Sequence, residues 1–228
     1  LGGNMRLAAY PPGKGDITNM IRSYIHRCQK DGVKIVMNCE VTPELIKEEK
    51  PDSVIIATGS KTLILPIEGI DNPAIIHGSD LLDGKRAAGK KVLVVGGGMV
   101  GCETAAFLGE QEHDVTVIEF RDTVGADVIH EHRVYLMKDF EDYGIKEITG
   151  AKVCKFYEDG VEYETADGVR HESRGYDSVI LSMGFRNYNP LEEKIKDLVP
   201  ETHVIGDAIR ARRALDATKE AYEVASRL

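Results

Sequence analysis

Lys91-Val92-Leu93-Val94-Val95-Gly96-Gly97-Gly98-Met99-Val100-Gly101 is the stretch on which the fold turns. Its aliphatic residues run without a polar break, as in a strand covered on both faces. Gly96, Gly98 and Gly101 then stand at G-x-G-x-x-G spacing, and the following residues to about Gln111 predict a helix. Val115-Thr116-Val117-Ile118 is a second buried strand, ending in Glu119, 21 residues beyond Gly98. Strand, glycine loop, helix, strand and terminal acid together make the first βαβ unit of a dinucleotide site. Gly96 permits the tight turn, Gly98 lets backbone approach a pyrophosphate, and Gly101 lets the helix lie close on the sheet. The helix N-terminus offers unpaired N–H groups to the phosphates.

Glu119 is placed to accept hydrogen bonds from an adenosine ribose, with Phe120 and Arg121 beside it. That favours NADH over NADPH: a 2′-phosphate ~4 Å from a carboxylate is repelled by on the order of 4 kcal/mol at an effective dielectric of ~20. Arg121 is the contrary feature, since an arginine two residues after the acid either neutralises such a phosphate or stands in solvent.

Upstream, Ile17, Met20, Ile21, Tyr24, Ile25 and Cys28 recur at helical spacing, predicting a helix with one buried face between Asp16 as N-cap and Gly32 as stop. Val33 to Met37 reads as a strand, Pro43 to Glu49 as a helical turn, and Asp52 to Ala57 as a buried strand. Residues 60–89 hold Pro66, Gly69, Pro73, Gly78 and Gly84 and read as a connection. Downstream, Ile129, Leu136, Phe140 and Tyr143 mark a helix ended by Gly144, followed by a strand near 145–149. Asp159-Gly160 and Asp167-Gly168 are hairpin turns, so strands near 152–157, 161–165 and 169–172 form an antiparallel meander. Val179 to Ser182 and Val204-Ile205 are further strands. Ala217, Ala221, Val224, Ala225 and Leu228 define the inner face of a closing helix.

The 228 residues carry 29 Lys and Arg against 38 Asp and Glu, a net charge of −9. There is no broad basic face for a nucleic acid or an anionic membrane surface. Apolar runs of four or five residues are far short of the roughly 20 a membrane span needs. The four cysteines, Cys28, Cys39, Cys102 and Cys154, contain no C-x-x-C or C-x-x-x-x-C pair. That argues for a reducing, cytoplasmic setting and against a structural zinc or a redox dithiol. Cys102 reads as a packing cysteine. His130 and His132, two residues apart, do not share a helix face, so no metal site is assigned and a solvated helix is expected.

Three glycine-terminated strands complete the pattern: Ala57-Thr58-Gly59, the 96–101 loop and Gly206-Asp207. In that order they resemble the two-dinucleotide-binding-domain flavoproteins of the pyridine-nucleotide disulfide oxidoreductase superfamily. The resemblance implies that Ala57, Thr58 and Gly59 lie beside FAD, that Gly96, Gly97, Gly98, Met99, Val100 and Gly101 bind NADH, and that Asp207 after Gly206 contacts the ribityl or phosphate region. Met183 and Gly184 then mark a loop beside NADH. On the residues alone, Asp207 also reads as a turn or cap aspartate and Thr58 as a strand-end cap.

Leu1-Gly2-Gly3-Asn4-Met5, Pro11-Pro12-Gly13-Lys14, Val95 to Ala105 and Val204-Ile205-Gly206-Asp207-Ala208 narrow the resemblance. Together they are similar to the C-terminal half of the old yellow enzyme-like NADH:flavin oxidoreductases, the group of 2-enoate reductase, 2,4-dienoyl-CoA reductase and trimethylamine dehydrogenase. The implied fold is α/β: a Rossmann-like domain with a parallel sheet and an antiparallel β-meander, residues 84–186, inserted in an incomplete FAD-binding domain, residues 1–83 and 187–228. In that family an earlier glycine loop, and before it a barrel with FMN and a [4Fe-4S] cluster, precede the segment that starts here at Leu1. A fragment that takes up little FAD is therefore expected, with the N-terminal barrel module as partner. The implied chemistry passes hydride from NADH to FAD and electrons onward to FMN and an enoate-like substrate. Hydride transfer needs no side-chain acid or base, so no catalytic residue is assigned. A non-catalytic nucleotide-binding module is the rival reading. A disulfide reductase is disfavoured by the missing cysteine pair. Arg210, Arg212 and Arg213 face either a phosphate, a partner or solvent.

Overall fold

The computed structural model describes all 228 residues. Along the chain, α1 (Asn4–Leu7) and α2 (Asp16–Lys30) come first, then α3 (Pro43–Glu49), β1 (Ser53–Ile56), β2 (Ser60–Thr62), β3 (Ile76–His77) and α4 (Gly78–Leu82). The motif region supplies β4 (Lys91–Val95), α5 (Met99–Glu110), β5 (Asp114–Ile118) and α6 (His130–Asp142). There follow β6 (Lys146–Ile148), β7 (Lys152–Tyr157), β8 (Gly160–Glu164), β9 (Arg170–Ser173) and β10 (Ser178–Leu181). The chain ends with β11 (Phe185–Asn187), α7 (Glu192–Ile195), β12 (Glu201–Val204) and α8 (Ala214–Ala225). It divides into two compact units, Leu1–Arg27 with Ile64–Gly184, and Cys28–Leu63 with Phe185–Leu228.

The first unit is built on a five-stranded parallel sheet in the order β3-β10-β4-β5-β6. Successive β-strand side chains point to opposite faces, and here both faces are covered. Val92, Val94, Val115, Val117 and Ile180 face Cys102, Ala105, Ala106 and Leu108 of α5 and Leu136 and Phe140 of α6. Leu93, Val95, Ile118, Val179 and Leu181 pack with Ala151, Phe156 and Val161, which belong to the meander side. The unbroken aliphatic runs follow from that double covering. The meander forms as its turn residues require: β7-β8-β9 is antiparallel, with Val161 opposite Ser173 and a register shift between Val153 and Lys155.

In the second unit β1 pairs with β12 in parallel, Ser53 with Glu201 through Ile56 with Val204, and β2 pairs antiparallel with β11. Its core is small: Ile46, Ile56, Leu191, Ile195, Val199 and Ala208. Thr42 caps α3, its hydroxyl accepting from the Leu45 N–H at 3.3 Å, with Pro43 in the first turn.

Four sequence expectations are corrected. Val33 to Met37 forms no strand; Val33, Val36 and Met37 are 55%, 60% and 55% exposed, because no neighbouring strand takes up their backbone groups. The helix at α2 forms, but none of its residues is buried, and Tyr24 is 53% exposed. The closing helix α8 also forms, yet buries no residue fully; Ala217 packs over Gly206 while Leu228 is exposed. Residues 60–89 are more than a connection, since they contain β2, β3 and α4, and β3 is the edge strand of the parallel sheet.

Candidate functional site

The glycine loop runs from the end of β4 to the start of α5, and its geometry follows from what a Cβ would meet. Gly96 has φ +105°, and a Cβ there would lie 2.5 Å from the Ser182 carbonyl oxygen. At Gly101 a Cβ would lie 1.7 Å from the Gly96 carbonyl oxygen, so only glycine lets α5 seat on the loop. Gly97 makes room for the Glu119 side chain and Val124, 2.8 and 2.9 Å from a built Cβ. Gly98 is different: its nearest neighbour would be the Asp127 carboxylate at 3.3 Å, so its bare face is turned to the cleft.

The loop's amides are partly committed. Gly96 N–H donates to the Ile118 carbonyl at 2.9 Å, extending the sheet. Gly97 N–H donates to Glu119 Oε2 at 2.6 Å, and Met99 N–H to Asp127 Oδ1 at 2.8 Å. Cys102 N–H closes the first helical turn on the Gly98 carbonyl at 2.9 Å. Gly98 has no side chain with which to cap α5.

A cleft of about 630 Å³ opens over this loop, at the C-terminal ends of β4, β5 and β10. Because β10 and β5 leave β4 in opposite directions across the sheet, this is a crevice of the kind in which open α/β sheets hold ligands. The structure brings Gly96, Gly98, Met99, Val100, Glu119, Phe120, Arg121, Met183 and Gly184 to its walls, while Gly97 and Gly101 are buried and do not line it. Asp127 and Lys152 line it too, which the sequence reading missed. Glu119 is held by two backbone amides, from Gly97 and from Arg121 at 2.9 Å to Oε1, so its carboxylate is fixed in place. Two amide bonds leave acceptor capacity on its oxygens. Phe120 is 69% exposed on the rim.

Cys102 is fully buried, its Sγ donating to the Gly97 carbonyl at 3.2 Å. Burial pushes its thiol up to about 12, so it is a neutral packing group under the loop. Glu103, next along α5, is buried and ion-paired with Lys14; His132 Nε2 is 3.3 Å from the same oxygen. His132 is thus a partner of a buried carboxylate, not the solvated side chain the spacing implies. No cluster of His, Cys, Asp and Glu fit for a metal ion is present.

In the second unit, Ala57-Thr58-Gly59 and Gly206-Asp207 follow the adjacent strands β1 and β12, so the topology brings them together. Asp207 Oδ2 accepts from the Ser60 hydroxyl at 2.9 Å and Oδ1 from the Arg212 N–H at 3.1 Å. Thr58 Oγ1 donates to the Tyr188 carbonyl at 2.5 Å. Glu220 accepts from the Gly206 N–H at 2.7 Å and pairs with Arg212, whose guanidinium holds its carboxyl below the usual range. Of the three arginines, Arg212 is therefore committed within the unit.

Residues 13–199 match the sequence profile described as pyridine nucleotide-disulphide oxidoreductase. The chain belongs to this family. Among curated relatives, bilirubin reductase of Mediterraneibacter gnavus is 31% identical over 99% of the chain and NADH oxidase of Thermoanaerobacter brockii 32% identical over 99%. In both, the match occupies 35% of the relative, so the chain spans about a third of the length of the proteins it resembles. A solved 2-naphthoyl-CoA reductase superposes over 100% of this chain and 34% of its own, with TM-score 0.93 and 30% identity. The pyridine nucleotide-disulphide oxidoreductase family is one of FAD- and NAD(P)H-binding oxidoreductases, and the α/β fold with its parallel sheet and antiparallel strands is shared with these neighbours. No helix is long and apolar enough to cross a membrane.

Proposed function

We propose that the chain is the NADH-binding, FAD-associated reductase part of a flavin oxidoreductase, which passes hydride from NADH to FAD and electrons on to an FMN and [4Fe-4S] module that reduces an enoate or similar substrate. The observation that carries the reading is the glycine cradle under the cleft, where three close approaches demand glycine and Gly98 lines the wall with only the Asp127 carboxylate against it. The NADH domain is residues 84–186, to which β3 adds the edge strand of the sheet; the FAD-binding domain takes residues 187–228 and the rest of 1–83, of which Leu1–Arg27 and the segment from Ile64 belong to the compact unit of the glycine loop. Support for the larger assembly comes from relatives named cinnamate reductase and 2-naphthoyl-CoA reductase, of which the matching region is 34% in each case.

The two nucleotides, when bound, supply the hydride donor and acceptor themselves. The protein's part is to bind and orient. Gly98, Met99 and Val100 N–H groups face the pyrophosphate, Glu119 takes the adenosine ribose, and Met183 and Gly184 border the nicotinamide end. In the second unit Ala57, Thr58, Gly59, Gly206 and Asp207 form the flavin side. Asp207 accepts one hydrogen bond on each oxygen, from Ser60 and Arg212, and like Glu119 keeps acceptor capacity for a ligand.

The test is a titration of the purified chain with NADH and NADPH, followed by nicotinamide fluorescence, with visible flavin absorbance recorded before and after incubation with FAD. Saturable NADH binding tighter than NADPH binding is expected, with little FAD taken up by the chain alone. NADH-dependent bleaching of added FAD would exclude the non-catalytic module, and no nucleotide binding defeats both readings.

A further inference from the structure

The α5 N-terminus already holds an anion of the protein's own. Met99 N–H donates to Asp127 Oδ1 at 2.8 Å, and Asp127 Oδ2 lies 3.3 Å from where a Gly98 Cβ would stand. The carboxylate therefore covers the Gly98–Met99 peptide, the surface that the absence of a side chain at Gly98 exposes. Asp127 comes from the loop between β5 and α6, which is anchored on the glycine loop by two contacts and on α6 by Arg133. Gly125 N–H donates to the Gly97 carbonyl at 2.7 Å, Val124 packs against Gly97, and Arg133 donates to Thr123 Oγ1 at 3.0 Å and the Val124 carbonyl at 3.2 Å. The backbone of the loop is held, while the Asp127 side chain is exposed and lines the cleft.

We propose that Asp127 is a built-in competitor for the phosphate position, which a dinucleotide pyrophosphate must displace from the Met99 N–H. The inference rests on the dinucleotide reading of the cleft. Helix N-termini favour anions, and two anions cannot share one donor without repulsion. Binding is then weakened by the fraction of molecules in which Asp127 has turned away, so a one-in-ten open population raises the apparent Kd about tenfold. Ligands without a phosphate do not compete with Asp127 and escape the penalty. Arg121 and Lys152 line the same cleft and offer positive charge to the pyrophosphate once Asp127 has moved.

Asp127→Asn keeps the shape and an amide oxygen for Met99 N–H but removes the charge, and Asp127→Ser keeps a capping hydroxyl. Calorimetric titrations of the wild-type chain and both variants with NADH, ADP and adenosine, at low and high salt, test the proposal. NADH and ADP are expected to bind about tenfold tighter to the variants, adenosine equally to all three, and the gain to shrink as salt screens the charge. Unchanged or weaker NADH binding in variants that melt like the wild type overturns the proposal and leaves the dinucleotide reading standing. Loss of the folded state in both variants makes Asp127 a structural cap and overturns it as well. If neither wild type nor variants bind NADH or ADP, the dinucleotide reading itself falls, and the proposal with it.

Discussion

Cys102 sits with no exposed surface under the glycine loop, and its raised pKa, about 12 against an ordinary 9.0, comes first from desolvation. Because the folded value lies above the unfolded one, the neutral thiol's contribution to stability is fully present below pH 9 and is lost as pH rises through 12. Urea unfolding of the wild type between pH 8 and 11 should therefore show stability falling above pH 9 by more than in Cys102→Ala, measured in parallel. An identical alkaline limb in both proteins would mean that other groups, such as Tyr143, carry the whole effect. Cys102 was legible as a packing residue because it lies in an apolar helix beside the loop. Glu103 carried a signal that went unused, since a carboxylate amid Cys102, Thr104, Ala105 and Ala106 has to find a cation. Its partners Lys14 and His132 lie 89 residues before it and 29 after it in sequence, and local pattern holds no record of such pairings.

At the scale of the element, the glycine loop tests how far a motif can be read into geometry. Gly98 and Gly101 are both glycines of the spacing, yet the structure assigns them unlike duties. Gly101→Ala drives a methyl to 1.7 Å from the Gly96 carbonyl, so α5 has to leave the loop. Gly98→Ala meets only the end of the Asp127 side chain at 3.3 Å, which can give way. The expected result is that Gly98→Ala keeps its melting temperature within about 3 °C and loses at least about tenfold in NADH affinity, whereas Gly101→Ala is destabilised by about 3 kcal/mol or more. Thermal melts with NADH titration separate the two; equal destabilisation would put both glycines in packing. Elements with strong period or turn chemistry were legible: β4, α5, β5, β10 and the meander with its Asp-Gly turns. β3 and α4 were not, because a two-residue strand and a five-residue helix among prolines and glycines have no period to detect. Val33 to Met37 failed the other way, since a β-rich composition makes a strand only where a neighbour pairs with it. Asp127 was missed because its bond to Met99 spans 28 residues and joins a loop to the first residue of α5.

For the molecule as a whole, the two units differ in how much apolar surface they remove from water. The first has 16 buried residues on one face of its sheet and 10 on the other, while the core of the second has six. At ~1.5–3 kcal/mol for each large apolar side chain buried, the first has several times the hydrophobic stabilisation to set against chain entropy. Single two-state unfolding is therefore not expected. Hydrogen exchange read by mass spectrometry should find residues 28–63 and 185–228 opening at low free energy, with the amides of β4, β5 and β10 exchanging only on full unfolding. NADH at a hundred times its Kd should raise protection of that sheet by about 2.7 kcal/mol and leave β1 and β12 little changed, because a ligand stabilises only the states that bind it. Uniform protection across both units, with or without NADH, would mean that they unfold as one and that the thin core of the second draws its stability from elsewhere in the chain.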